Sequence, residues 1–230
     1  MQKRAMVKKC VSVCIWIILI PAIILLETLV FGGKQYALIS LTVTVLSLLP
    51  FFLSFERKEQ SIPKMVLIAA LTAISVMGRM LFYALPGFKP VTAIVIITGI
   101  YFGAESGFMV GALSAVISNF AFGQGPWTPF QMLTWGLIGL IAGFLSAQLK
   151  KSKVCLYGYG VLSGVAFSMI MDVWSVLWQD GVFNPSRYIG YLLSSTGYMI
   201  IYAVSNVVFL FLLANPIGAK LERVKDKYGI

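Results

Sequence analysis

The fold is decided by the stretch from residue 78 to residue 135, which opens with GRMLFYALPGFKP (78–90) and closes with SNFAFGQGPWTPFQMLTW (118–135). The first run carries Arg79 inside an apolar segment and ends in a turn that contains Lys89. The second is a loop rich in glycine, amide and aromatic residues. Two apolar segments dense in glycine separate the loops. We predict that both loops lie on one side of a membrane and, with Arg79, form much of a pocket for a small polar solute.

The composition is that of an integral membrane protein. Of the 230 residues, 59% are apolar and 11% are charged, and the mean hydropathy is +0.91. A soluble domain has about 25% charged residues. Several apolar runs reach the roughly 20 residues that a helix needs to cross the hydrocarbon layer. Since these runs are too long for the strands of an outer-membrane barrel, helices must satisfy the backbone in lipid.

We predict an all-α integral membrane protein of eight helices. Residues 1–63 form a basic segment and a two-helix transmembrane hairpin, Val11–Phe31 and Tyr36–Phe55. Residues 64–213 form a six-helix core, and residues 214–230 form a basic cytoplasmic tail. The predicted core helices are Lys64–Tyr83, Val91–Phe102, Glu105–Phe120, Thr128–Leu149, Val154–Trp178 and Tyr188–Leu213.

The positive charge is explained by topology. The net charge of +10 raises the possibility of a nucleic-acid partner, but 14 of the 18 lysines and arginines fall in alternate loops and the termini. This distribution follows the positive-inside rule and predicts a multi-pass protein of the plasma membrane with both termini in the cytoplasm. We predict no nucleic-acid partner. The chain has three cysteines and no histidine, so we also predict no metal site and no cofactor.

Two ionisable side chains, Arg79 and Asp172, fall well inside predicted spans. Helical rise from the starts of their segments places them about 22 Å and 27 Å into the membrane, at similar depth. A charge inside the membrane indicates a functional site by default. A structural ion pair between these two residues is the other interpretation, and a pair that also faces the pocket would satisfy both.

The two loops supply amides, aromatic rings and a cation, which suit contact with a polar ring-containing solute. A lone tryptophan at this depth is usually part of the interfacial aromatic belt, but the belt does not explain the amides and glycines around it. The predicted solute contacts are Arg79, Phe88, Lys89, Asn119, Gln124, Trp127, Gln131, Trp135 and Asp172.

Ala69 and Ala73 lie four residues apart in the first core helix and share a face. Such small residues allow another helix to approach closely, either within the bundle or from a partner. The chain has no phosphate-binding Gly-x-x-x-x-Gly-Lys-Ser/Thr loop. We find no paired carboxylates and no nucleophile with a nearby base, so we predict a binding subunit and not an enzyme.

The core resembles the substrate-binding S component of an energy-coupling-factor (ECF) vitamin transporter. The resemblance is carried by the Ala69-x-x-x-Ala73 motif, the run from residue 78 to residue 90, and SNFAFGQGPWTPFQM. It implies that one vitamin binds at the outer face and that the alanine face docks on a transmembrane coupling subunit. It further implies that two cytoplasmic ATPase subunits drive release.

The resemblance leaves the vitamin open. The GQGPWTP pattern is most similar to S components associated with cobalamin or its precursors, and riboflavin or another ring-containing vitamin is the next choice. The alternative is a stand-alone secondary transporter that uses Arg79 and Asp172 for ion coupling.

Overall fold

The computed structural model describes residues 62–125, 127–181 and 183–229, together with Thr42 and Leu46. The predicted helix Val11–Phe31 lies outside the described residues. So does the helix Tyr36–Phe55 except for Thr42 and Leu46, which are both helical. Leu46 packs against the hydrophobic core. The predicted total of eight helices therefore stays a prediction.

All regular structure in the described residues is α-helical. The helices are named in chain order: α1 (Ile62–Leu81), α2 (Val91–Phe102), α3 (Ala104–Phe122), α4 (Thr128–Phe144), α5 (Ser146–Lys151), α6 (Lys153–Asp180) and α7 (Pro185–Tyr228).

Length and composition make four of the helices, α1, α3, α6 and α7, candidate membrane spans. Two shorter apolar helices, α2 and α4, accompany them. The prediction of an all-helical chain that spans a membrane is confirmed for the described part.

Helix α2 has only 12 residues, and its residues from Val91 to Ile100 are all buried. A helix that is apolar on every side belongs inside a bundle, where neighbouring helices and not lipid surround it. The helix ends at Gly103, whose φ of 88° lies in the region that favours glycine. Because the chain turns there, α3 begins at once and runs back beside α2.

Glycines bring α2, α3 and α4 into backbone contact. A Cβ atom added to Gly99 would lie 2.3 Å from the carbonyl oxygen of Gly139, and one added to Gly107 would lie 2.4 Å from the same oxygen. A Cβ atom on Gly139 would in turn lie 2.3 Å from the carbonyl oxygen of Gly107. The missing side chains therefore set the distance between these helices, as small residues do in membrane bundles.

Two boundaries differ from the sequence prediction by more than three residues. The fourth core helix does not run unbroken to Leu149, because Leu145 (φ −89°, ψ 11°) separates α4 from the short α5. The last helix does not end at Leu213 but continues to Tyr228, for a total length of 44 residues. Its extension packs on the bundle, since Gly218 and Leu221 are buried. The predicted boundary between residues 213 and 214 thus falls inside α7.

Candidate functional site

A hydrogen-bond network joins the two loops that the sequence singled out. The Nη1 atom of Arg79 in α1 donates to Asn119 Oδ1 at 2.8 Å and to Ser118 Oγ in α3. The Nδ2 atom of Asn119 donates to Thr128 Oγ1 and to Gln131 Oε1, each at 2.8 Å. Asn119 is only 1% exposed. One buried amide therefore connects the intramembrane arginine to the start of α4.

The same network ties the loop between α3 and α4 to the two helices that flank it. Thr128 Oγ1 donates to Gln124 Oε1 at 3.0 Å, and Gln124 Nε2 donates to the carbonyl oxygen of Val116 at 2.7 Å. Gln124 is exposed while Thr128 is buried. Gln124 thus fastens the loop to α3 at its solvent-facing edge. We call the part of the bundle that contains this loop the Arg79 end.

Two cations flank one aromatic ring, that of Phe122 at the end of α3. The Arg79 Cζ atom lies 4.4 Å from the centroid of the ring, and the Lys89 Nζ atom lies 5.7 Å from it. The Lys89 ammonium also donates to the carbonyl oxygens of Phe82 and Tyr83. Partial burial, and then the charge of Arg79, lower the pKa of Lys89 below its ordinary value.

Backbone contacts hold the Lys89 turn against α7. The Lys89 N–H donates to Ser205 Oγ at 2.9 Å, and the Ser205 hydroxyl donates back to the Lys89 carbonyl oxygen at 3.1 Å. Ser205 is 1% exposed. This reciprocal pair fixes the turn beside the residues of α7 that follow.

A cavity of about 290 Å³, a volume that includes space open to solvent, lies beside this turn. Three aromatic side chains line it: Trp135 of α4, Phe167 of α6 and Tyr202 of α7. Trp135 and Phe167 stack with centroids 5.1 Å apart and an interplanar angle of 27°. Phe167 meets Tyr202 edge-on at 5.1 Å. The cavity wall formed by these three side chains is therefore aromatic, with the rings packed on one another.

Polar side chains complete the lining. Thr92 accepts a 3.2 Å hydrogen bond from the Trp135 indole nitrogen. Asn206 donates its amide nitrogen to the Gly160 carbonyl oxygen at 2.9 Å. Among the described residues no donor reaches the Asn206 side-chain oxygen, which leaves this acceptor for the cavity. With Lys89, the lining offers a cation, a hydroxyl and an amide oxygen.

The structure brings most of the predicted residues to one end but only two into the cavity wall. Lys89 and Trp135 line the cavity. Arg79 lies behind this wall, with its Cζ atom 5.1 Å from the centroid of the Trp135 ring. Asn119 accepts a hydrogen bond from Arg79 and donates one to Gln131, so Gln131 acts on Arg79 only through Asn119. The predicted role of these residues in solute contact stays a prediction.

Three predicted residues point elsewhere. The ring of Phe88 lies 5.0 Å from that of Phe209 and packs against the core. Trp127 meets Trp174 edge-on at 5.8 Å. Asp172 is buried and accepts a 2.6 Å hydrogen bond from Ser195 Oγ.

Arg79 and Asp172 form no ion pair in the described part of the chain. Arg79 is bonded to α3, whereas Asp172 is bonded across the α6–α7 interface. The two charges therefore hold different helix pairs together. The ion-pair interpretation of their similar depth is not supported.

The alanine motif lies on the surface of the bundle. Ala69 and Ala73 are both exposed on α1, while Leu71, Thr72 and Val76 face inward. Close packing of these alanines inside the described bundle is thus ruled out as their role. No described residue covers this face, which can meet lipid or another helix.

Sequence reasoning missed several residues at this end. Phe167 and Tyr202 gave no signal, because aromatic residues are common in apolar spans. Asn206 did carry one, since an amide inside an apolar run needs a partner. Phe122 lies inside the quoted motif, but only the structure shows that it lies between two cations.

Comparison with known proteins gives one finding. The model of a family described as "ECF-type riboflavin transporter, S component" matches residues 59–223. Neither the curated proteins nor the solved structures contain a significant match.

Proposed function

Because this chain belongs to the family of ECF-type transporter S components, we propose that it captures riboflavin or a close relative at the Arg79 end. The family match confirms the resemblance drawn from the motifs. Its description names riboflavin and does not support cobalamin as the vitamin. We therefore place riboflavin first, and cobalamin is tested as the competing ligand.

The observation that carries this proposal is the ring-lined cavity. The isoalloxazine ring of riboflavin is planar and aromatic on both faces, and the stacked Trp135 and Phe167 side chains offer it a matching surface. The edge of this ring system carries carbonyl oxygens and a ring N–H. The Lys89 ammonium suits the former and the Asn206 side-chain oxygen suits the latter.

The size of the cavity favours the smaller vitamin. Its volume of about 290 Å³ includes space open to solvent, so the enclosed part is smaller than either vitamin. A flavin ring would require the side chains that line the cavity to move apart on binding. A corrin ring with its side chains is far larger and would require the helices to separate.

We propose that energy for transport comes from partner subunits. The exposed Ala69 and Ala73 face of α1 supports docking on a transmembrane coupling subunit. Two ATPase subunits would supply ATP hydrolysis, since the chain has no phosphate-binding loop of its own. The positive-inside rule, applied to the basic segments, supports an orientation with both termini in the cytoplasm and the cavity at the outer face of the plasma membrane. A stand-alone transporter coupled through Arg79 and Asp172 is disfavoured because these charges are not paired.

The test is a titration of riboflavin with the purified protein, in which quenching of the flavin fluorescence measures binding. Phe167→Ala removes one wall of the cavity and should weaken binding by about 10- to 100-fold, the equivalent of one lost aromatic contact. Phe211→Ala is the matched control, because Phe211 is 66% exposed and lies on the outer surface of α7.

Three results would contradict the proposal. The first is saturable binding of cobalamin with no binding of riboflavin. The second is equal riboflavin affinity in the Phe167→Ala and Phe211→Ala variants. The third is uptake in vesicles that collapses with an ion gradient and needs no ATPase subunits, which would establish the secondary transporter.

A further inference from the structure

A second site lies at the end of the bundle opposite the Arg79 end. A cleft of about 710 Å³, including space open to solvent, lies between α5, the start of α6 and the last part of α7. Its polar lining comprises Tyr101, Lys150, Lys153, Asn215 and Glu222. Two cations therefore face one carboxylate among the described residues of this lining.

The contacts hold both ammonium groups at the cleft. Lys153 Nζ donates to Asn215 Oδ1 at 2.5 Å. Lys150 Nζ lies 4.2 Å from the centroid of the Tyr101 ring and 3.5 Å from Glu222 Oε1. The side chains of Lys150 and Glu222 are 39% and 56% exposed. Exposed ion pairs are weak, so an incoming anion can replace Glu222 as the partner of Lys150.

Gly218 of α7 makes room for the side chain of Tyr101 in α2. A Cβ atom added to Gly218 would lie 2.2 Å from the Tyr101 hydroxyl oxygen. The tyrosine therefore fits only because α7 has no side chain at this point. The cleft is thus built by the packing of α2 on the extension of α7, and its basic lining is not merely a run of charged surface residues.

Exposed apolar residues adjoin the cleft on its membrane side. Phe211 and Leu212 precede Asn215 by four and three residues and thus share its face of α7. They are 66% and 54% exposed. Val154, next to Lys153, is 82% exposed. A basic, anion-binding site at the end of a span, with apolar surface one turn further into the bilayer, has the two parts of a phospholipid site.

We propose that this cleft binds the phosphate of an anionic phospholipid. The headgroup lies between Lys150 and Lys153, and an acyl chain follows Phe211 and Leu212 along α7. Basic pockets between helices near a membrane surface are suited to anionic headgroups. The lipid would join α5 and α6 to the extension of α7. It would bind whatever solute occupies the other end.

The experiment is native mass spectrometry of the intact protein in a neutral detergent, titrated with dioleoyl phosphatidylglycerol. The double variant Lys150→Gln/Lys153→Gln removes both cleft cations. Its matched control, Lys151→Gln/Lys220→Gln, removes the same charge from exposed positions that do not line the cleft. We expect the cleft variant to weaken lipid binding by about tenfold or more and the control by less than about twofold.

Two further measurements keep the outcome decisive. Dioleoyl phosphatidylcholine should bind weakly to both variants, and excess inorganic phosphate should not displace phosphatidylglycerol from the unaltered protein. Equal loss of lipid in both double variants would overturn the proposal, as would retention in both. Displacement by inorganic phosphate would show a free-phosphate site and would equally overturn it. The thermal unfolding midpoint of each variant reports that the bundle is folded.

Discussion

Replacing Asn119 with alanine should destabilise the Arg79 end and weaken riboflavin binding together. The substitution removes one hydrogen bond from a charged donor, Arg79, and two that Asn119 donates to neutral oxygens. A bond to a charged group is worth about 1.5–3 kcal/mol and a neutral one about 0.5–1.5 kcal/mol. Since Arg79 keeps Ser118 and Thr128 keeps Gln124, we expect a net loss of about 3 kcal/mol.

The assay is thermal unfolding of the purified protein in detergent beside the riboflavin titration. A loss of this size should lower the Tm by roughly 6–12 °C for a chain of this length. Arg79 would no longer be fixed behind Trp135, so the affinity should fall by about tenfold. Asn184→Ala is the control. It removes an amide that caps α7 by accepting from the Ser186 and Arg187 N–H groups. That loss should cost about 1 kcal/mol of stability and leave the affinity unchanged.

A change in the Tm without a change in riboflavin affinity, or the reverse, would refute this reasoning. If the Tm falls by the expected amount while riboflavin affinity stays at the level of the unaltered protein, the network is structural only. If Asn119→Ala lowers the Tm no more than Asn184→Ala does, then Asn119 does not hold Arg79. Asn119→Asp separates the contributions further, because a carboxylate keeps the bond to Arg79 but cannot donate to Gln131.

Three other substitutions test the remaining parts of the structure. Ala69→Leu with Ala73→Leu should spare riboflavin binding and abolish ATP-driven uptake in vesicles that contain all subunits, because added bulk blocks close helix docking; surviving uptake would remove the docking assignment. Riboflavin binding that depends on the positive charge of Lys89 should weaken as the pH rises, because the ammonium group loses its proton. The midpoint of this change should lie below the ordinary lysine pKa of 10.5, because partial burial and the charge of Arg79 lower the pKa of Lys89. Lys89→Arg should abolish that decline, and a decline that persists would assign it to another group. Gly139→Ala places a methyl group against the α3 backbone and should cost about 1–3 kcal/mol or more in unfolding free energy. Gly158→Ala, which meets nothing within 4 Å, should instead raise stability by about 0.5–1 kcal/mol, so equal Tm values for the two variants would contradict the glycine contact.

The helices of the described part could be predicted from the sequence because a segment in lipid must satisfy all of its backbone hydrogen bonds internally. Apolar runs bounded by charged loops gave all six predicted core segments, and even the short α2 was placed correctly at Val91–Phe102. No proline marks the break at Leu145, and the nearby Gly143 is itself helical. The extension of α7 carries charged residues that suggested a separate tail, and only the buried Gly218 and Leu221 show that it packs on the bundle.

The candidate site was readable only in part. Arg79 and the amide-rich loop stood out because polar groups in apolar surroundings must find partners. Their contact across α1 and α3 followed from that need. Phe167 and Tyr202 did not stand out, because their identity is ordinary for a span. What makes them a wall is the packing of α6 on α7, a long-range contact that no local pattern encodes.

Helix α7 is long enough to line both the cavity at the Arg79 end and the cleft at the opposite end. This single helix carries Tyr202 and Asn206 at the cavity, and about 24 Å further along it carries Glu222 at the opposite cleft. A rod that pivots by about 5° near Asn206 would displace Glu222 by about 2 Å. Pro216, the one proline inside α7, cannot donate a hydrogen bond to the Leu212 carbonyl oxygen. The helix therefore bends more readily at this point than elsewhere along its length. Any tilt of α7 at the cavity would therefore move Glu222 and change its distance from Lys150.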